Sequence, residues 1–524
     1  MRNERGIALV FVLFLLTTVS ALAVSLTFLA NSETYASGNY RLATQARYAA
    51  ESGAQKAADF LLDPTQYVPG TAAETVAGID TSKSPVEFNG KPVILSASAT
   101  QASNYPDVTT QNKFNAAAKG FLTAGSTQIS FGAYAKLLRE ETFSDAYTAA
   151  VTTVQTWEIT ADGLIQGVHP ATVEITTQIE TLKVPAFQYA AFAANPNCDA
   201  LEFDGSTTTN SYNTPPIGTS PSMLGHGGDV GTNGNMTLKG GAVQVNGNLS
   251  TPREGVGNCV NGNNGSGITA LQGAETDIKG GSIVRLPKPI TLPTPAPAAV
   301  SPQGGIKNSD IKSTICSSLG LVEGTNCHYT SGGGSVADTV QIWNTSGTPL
   351  SLPEVSLTSK TTFILTASNV SGVSNEYDFN SLALTGQASI AVSTPSPSDR
   401  VIVRVGGTDN TGSPVTNAIS FDGGSVSAPL CASCSPFDAS LMQFVYAGSG
   451  NITFAGNPAS SATFYAPNAA ATLNGDDNFY GALVSNTIKV TGNANIFYDQ
   501  QLAGTGWTHG VPMMTAFSWK NANN

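Results

Sequence analysis

From Ile7 to Ala30 the chain reads IALVFVLFLLTTVSALAVSLTFLA, without one charged residue. As a helix rising about 1.5 Å per residue, this run spans about 36 Å, enough to cross a bilayer with some tilt. The pattern continues beyond it. In NSETYASGNYRLATQARYAAESGAQKAADFLL, the residues Leu42, Ala46, Ala49, Ala50, Gly53, Ala57, Phe60 and Leu61 recur at three- and four-residue steps. That spacing is one stripe of a helix. Asp63-Pro64 then stops it, because the residue before a proline is pushed out of helical geometry. The pattern predicts one helix over 7–62, roughly 80 Å long, apolar all round in its first half and amphipathic in its second.

Between 85 and 196 the pattern is mixed. NKFNAAAKGFL and YAKLLREETF read as short helices, and VTTVQTWEITADG and TVEITTQIETLKV read as strands. The last alternates Val173, Ile175, Thr177 and Ile179 on one face, while Asp162-Gly163 is a turn signal. After Asn197 the texture changes to tiny apolar runs between Gly/Asn turns, as in GDVGTNGNMTLKGGAVQVNGNLS and ALQGAETDIKGGSIV. Residues 286–303, LPKPITLPTPAPAAVSPQ, are Pro-rich and extended. A second β-rich stretch follows. In it Ile452/Phe454, Phe464/Tyr465, Ala482/Leu483/Val484, Ile488/Val490 and Ile496/Phe497 recur between N-G, G-N and D-D turns. The fold class expected is α+β: a long N-terminal helix, an antiparallel sheet packed on it, then a large all-β body. Short irregular strands at this spacing suit a right-handed parallel β-solenoid, each coil burying a small face on its neighbours. The loose period keeps a β-sandwich as the alternative.

Composition sharpens this picture. Charged residues make up 11% of the 524, Gly numbers 53, and the formal net charge is −12. With no Lys/Arg cluster beyond the N-terminus, no nucleic-acid partner is expected, since such binding rests on neutralising phosphates. The six cysteines, Cys198, Cys259, Cys316, Cys327, Cys431 and Cys434, all follow the apolar segment. If that segment sends the rest out of the cytoplasm, disulfides are expected. Nearness suggests Cys316–Cys327 and Cys431–Cys434, leaving Cys198–Cys259, although six cysteines allow many pairings. CASC alone, without a second CxxC or a neighbouring His, does not make a metal site.

Candidate chemistry is sparse. His169, His226, His328 and His509 are scattered, with no HExxH or Ser/His/Asp motif. GHGGDVG reads as turn structure rather than a phosphate cradle. Asp476 and Asp477 in NGDDNF are the best acidic pair, with Asp499 nearby, and are calcium candidates. The competing reading is a solvated inter-coil turn, where Asp and Asn bond their own backbone. Tyr465, Phe479, Tyr480, Phe497 and Tyr498 could line a sugar groove, but their alternation favours stacking in a core. No metal and no cofactor is expected.

Three readings of the N-terminus compete. Arg2 and Arg5 favour a cytoplasmic N-terminus with the remainder exported, as a single-pass protein. Ala21-Leu22-Ala23 is an A-x-A-like signal-peptidase site, yet the apolar run continues past it through Val24, Leu26, Phe28 and Leu29. A plain uncut anchor is the second reading. The third rests on order: a charged leader, Gly6, an uninterrupted apolar half-helix and an amphipathic half-helix. This resembles a type IV prepilin, and ASGNYRLATQARYAAESGAQKA is similar to the N-terminal region of PilX-family minor pilins, with its A-G-N-Y-R and A-A-E-x-G elements.

The resemblance implies cleavage between Gly6 and Ile7 by a prepilin peptidase, methylation of Ile7, and assembly with other pilins through the helix on an inner-membrane platform. Main pilin subunits carry a glutamate at the fifth position after the cut, where this chain has Phe11. A carboxylate in lipid is retained only for a partner, so its absence fits a tip-priming minor subunit, as in PilX and general-secretion tip subunits. The implied domains are a leader over 1–6, a pilin helix over 7–62 (7–30 transmembrane) and a pilin-like region over 85–196. Solenoid parts over 197–285 and 339–505 flank a Pro-rich linker and disulfide loop over 286–338, and 506–524 is a tail. The implied location is the bacterial inner membrane, then the pilus tip or cell surface, where the β-rich body displays itself for adhesion to an unidentified ligand. No enzyme activity is expected. The competing class, a membrane-tethered polysaccharide-degrading β-helix, requires two or three carboxylates converging in one groove.

Overall fold

In the computed structural model the apolar and amphipathic halves form one helix, α1, over Glu4–Leu62. The structure describes residues 4–69, 78–124, 127–148, 151–166, 170–262, 265–300, 304–334, 336–394, 399–423, 425–427, 434–456, 460–476, 478–510 and 512–521. Two units result: residues 1–144, 150–184 and 509–524 in one, residues 145–149 and 185–508 in the other.

In the first unit the second half of α1 lies on an antiparallel sheet. Its strand order is Met513–Asn521, Ala171–Glu180, Val151–Ile165, Thr127–Ser144 and Ile94–Ser96, with Lys119–Ala124 also pairing Thr127–Ser144. The stripe lands as spaced: Ala46, Ala49, Ala50, Ala57, Phe60 and Leu61 are buried. They meet Val173, Ile175 and Ile179, which alternate with half-exposed neighbours on their strand. Helix α2, Val108–Ala117, is capped by Asp107, whose carboxylate accepts the Thr109 and Thr110 amides, and it buries Phe114.

Two expectations for this unit fail. YAKLLREETF is not a helix but the middle of strand Thr127–Ser144. Ala133, Ala135 and Leu137 are buried at a two-residue period there, and pairing to both sides overrides the helix propensity of its Leu, Arg and Glu. Asp162-Gly163 is not a turn but lies inside strand Val151–Ile165. Gly163 is needed for closeness instead: a Cβ there would sit 1.9 Å from the Ala46 carbonyl oxygen of α1. The stretch read as a tail also contributes: Met513–Asn521 is the edge strand beside Ala171–Glu180.

The second unit is a stack of parallel coils. A single inward column shows the packing: Val403, Phe444, Phe464, Leu483, Ala191, Val230 and Leu249 are successive register partners. All are buried, and the Phe444 and Phe464 rings stack at 4.4 Å. Parallel pairing along this column is that of a solenoid; a sandwich of Greek-key type would pair antiparallel.

The column also shows that the chain does not build this stack from end to end. The first coil, with strands Ala191–Ala193, Leu201–Phe203 and Thr208–Tyr212, lies in its middle. From there the chain coils outward through Val230–Thr232 and Leu249–Thr251 to Ile283–Arg285. The second half starts at Ile306–Lys307 and coils inward, until Asn478–Gly492 and Asn495–Asp499 pair with the first coil from the other side. Glu202 marks this junction, bridging Lys239 of the next outward coil at 2.9 Å and Lys489 of the last coil at 3.0 Å.

The Pro-rich segment connects the two halves as a strap across the stack. Ile290 exchanges hydrogen bonds with the Asn233 side chain. Farther on, Tyr465 donates to the Pro293 carbonyl, Arg404 to the Ala296 carbonyl at 3.3 Å, and the Ala299 amide to Asp378 Oδ2 at 2.6 Å. Proline suits this course, since an extended segment outside the ladders needs few backbone donors. A small cap covers the stack's far end, formed by helix Ile315–Ser318 and strand Cys327–Thr330, which runs antiparallel to Asp338–Trp343.

Candidate functional site

The N-terminal half of α1 is the strongest functional feature among the described residues. Gly6 and Ile7 lie within the helix, so no break separates the expected cut from the apolar run. From Ile7 to Leu29 the large side chains point outward unpartnered; Phe11 is 74% exposed and Phe28 is 77% exposed. A window of this helix has a mean hydropathy of 2.7, and the helix is long and apolar enough to cross a membrane. Its hydroxyls are handled as a lipid setting requires. Thr17, Thr18, Ser25 and Thr27 donate to the carbonyls of Phe14, Leu15, Ala21 and Ala23, so these four donors are satisfied within the helix. Arg2 lies outside the described residues.

The second half of α1 is fixed rather than free. Arg47 pairs with Glu51 at 2.9 Å and sits over the Trp519 ring at 5.5 Å, tying the helix to the edge strand. Just past the helix, Tyr67 donates to Gln155, which also accepts from Trp157. Burial holds the Tyr67 hydroxyl well above its ordinary range, so it stays a neutral donor. The helix is thus a rod, anchored at one end and apolar at the other.

Elsewhere the sequence candidates disperse. Cys198–Cys259 and Cys316–Cys327 are disulfide-bonded, and Cys434 is also in a disulfide, while Cys431 lies outside the described residues. Asp476 is exposed and accepts from the Asn493 side-chain amide of the next coil at 2.6 Å; Asp477 lies outside the described residues. His169 also lies outside them, His226 and His509 are exposed, and His328 bonds Glu323. Tyr465, Phe479 and Tyr498 are core residues. Tyr480 and Phe497 are half-buried on the outer face with ring centroids 5.3 Å apart.

Of the acidic candidates, Asp499 does have a carboxylate neighbour, but it is Asp438 and not Asp476. Asp438 accepts from Ser440, capping the short helix Ala439–Leu441. Asp499 accepts from Thr214 and from the Ala439 and Gln501 amides. Burial pushes the Asp499 carboxyl up to about 6, with the Asp438 charge adding to the shift. Both are spent on capping; the Asp438 cap is local, made with Ser440 two residues on, whereas its nearness to Asp499 comes only from the fold.

Residues 5–55 match the family profile described as PilX N-terminal, and residues 301–505 match a domain of unknown function (DUF7305). No curated protein matches the chain. Among solved structures, the competence-associated pilin ComZ from Thermus thermophilus is matched at 12% identity. The match covers 92% of this chain and 98% of that one with a TM-score of 0.28, too low to carry an argument. The anchored rod with its apolar half, together with the match over 5–55, makes this chain PilX-like at its N-terminus, in the manner of a type IV minor pilin.

Proposed function

We propose that this chain is a minor pilin or pseudopilin that primes a type IV filament at its tip and displays a solenoid for surface adhesion. The observation that carries the reading is the unbroken helix Glu4–Leu62, exposed and apolar over one half and packed on its own sheet over the other. In this reading residues 1–6 are a leader cut by a prepilin peptidase. The 7–30 span holds the precursor in the inner membrane with its N-terminus in the cytoplasm. An assembly platform then draws the helix into contact with other pilins. Phe11, lacking a carboxylate to neutralise a neighbour's terminal amine, suits the first position rather than the shaft.

Mass spectrometry of the mature N-terminus tests this. The expected result is loss of Met1–Gly6 and a methyl group on Ile7. A start at Val24 would support a conventional signal peptide, and an intact Met1 a plain anchored protein; either would overturn the assembly reading. The enzyme alternative gains no support from Asp438 and Asp499, whose oxygens are occupied by backbone and hydroxyl donors.

A further inference from the structure

We propose that the cap loop closed by Cys316 and Cys327 is, in its reduced state, a binding site for a divalent cation of the zinc class. The ligands are both sulfurs and the Glu323 carboxylate. The three ligand atoms already lie within 4.8 Å of one another. Glu323 Oε2 is 3.0 Å from Cys316 Sγ, and Oε1 is 2.5 Å from His328 Nδ1. Backbone geometry holds this arrangement in place. Glu323 and Cys327 form a bridge, the Gly324 amide donates to the Cys327 carbonyl at 2.8 Å, and the Val322 amide donates to Asn326 Oδ1 at 2.8 Å.

The donor set points to a cation. A disulfide sulfur carries no hydrogen, so Cys316 donates nothing to the oxygen beside it, whose donor is the Tyr329 amide at 3.3 Å. With the S–S bond opened, two thiolates and a carboxylate gather negative charge at one point, which a dication neutralises. Two sulfurs and an oxygen suit zinc, with a fourth position left for water. His328, hydrogen-bonded to the other carboxylate oxygen, orients Glu323 from outside the site. Cys316 and Cys327 are buried while Glu323 and His328 are exposed, which gives a cation a route from the Glu323 side. Either closure links the helix Ile315–Ser318 to the strand Cys327–Thr330, so the cap stays shut in both states.

The redox step balances with a phosphine reductant. The phosphine takes the oxygen of one water, the S–S bond accepts two electrons, and the water's two protons give two thiols. Metal binding then releases the thiol protons. The test uses the full chain in detergent micelles, reduced with a phosphine and titrated with Co(II). The expected result is a near-ultraviolet thiolate-to-metal charge-transfer band saturating at about one cobalt per chain. In a Cys431→Ser/Cys434→Ser background, which removes the other thiol pair that reduction can free, the band is retained in Cys198→Ser/Cys259→Ser and lost in Cys316→Ser/Cys327→Ser. Because Glu323 is exposed, Glu323→Gln folds normally and should weaken cobalt binding about tenfold or more. No band in the reduced wild type would overturn the proposal. So would a band that survives Cys316→Ser/Cys327→Ser or one that Glu323→Gln leaves unchanged.

Discussion

Replacing Gly163 by alanine should loosen the grip of α1 on its sheet. A Cβ at this position would lie 1.9 Å from the Ala46 carbonyl oxygen and 2.7 Å from the Ala50 nitrogen. Both atoms are helix backbone, so no rotamer change relieves the clash. Restoring ordinary contact requires the helix and strand to separate by about 1.5 Å. A gap approaching 1 Å already forfeits a quarter to a half of each dispersion contact, and here it would open along Ala46, Ala49, Ala50 and Gly53. Overpacking costs about 1–3 kcal/mol in well-packed cores. A rigid helix cannot yield at one point, so we expect about 3 kcal/mol. The assay is urea unfolding of the full chain in detergent, with hydrogen exchange on the amides of 46–61. Gly38→Ala is the control. Gly38 lies on the same helix with nothing within 4 Å of its would-be Cβ, so this change should stabilise by about 0.5–1 kcal/mol. If Gly163→Ala shifts stability by less than about 0.5 kcal/mol with unchanged exchange, the close approach argued from Gly163 is refuted.

Other expectations concern the solenoid unit. Burial pushes the carboxyls of Asp378 and Asp499 up to about 6 from an ordinary value near 3.8. Raised acid values mean that folding favours the protonated forms, so stability is highest below about pH 4 for these groups and falls as pH rises through 6. Asp378→Asn should remove roughly half of that loss, read as thermal midpoints between pH 4 and 7; an unchanged profile would contradict the buried placement under the strap. Glu202→Gln, which strips the charge shared by Lys239 and Lys489, should cost about 1–2 kcal/mol. It should also raise hydrogen exchange in Leu201–Phe203 and Asn478–Gly492 before the outer coils, and uniform exchange would count against the junction.

The helix was legible because its buried stripe and its proline stop are local signals. The strand face of Val173, Ile175, Thr177 and Ile179 was legible for the same reason, since alternation needs no knowledge of the partner. YAKLLREETF misled because its Leu, Arg and Glu favour helix when read alone; only two flanking strands make it extended. Gly163 misled because a glycine that admits a helix backbone looks the same in sequence as one that makes a turn. The solenoid's period was blurred by unequal coil lengths, and its order was invisible, since Leu483 and Ala191 become neighbours only through the fold. At the N-terminus the candidate residues could be named from order alone. The cap cluster was missed because Glu323 sits between two cysteines whose spacing matches no compact metal motif.

The placement of the first coil in the middle of the stack bears on how the molecule comes to be made. In an ordinary solenoid each new coil docks on a finished one, and growth is local. Here the coil that is synthesised first waits, one face uncovered, until strands some three hundred residues later reach it, as Ala191 does for Leu483. Loop-closure entropy and long sequence separation make such a step slow and late. Until it happens, open strand edges are offered to any neighbouring chain. A cell producing this protein must therefore shield a nearly complete chain rather than a short nascent one, and the final closure, not the addition of coils, sets the time for which that protection is needed.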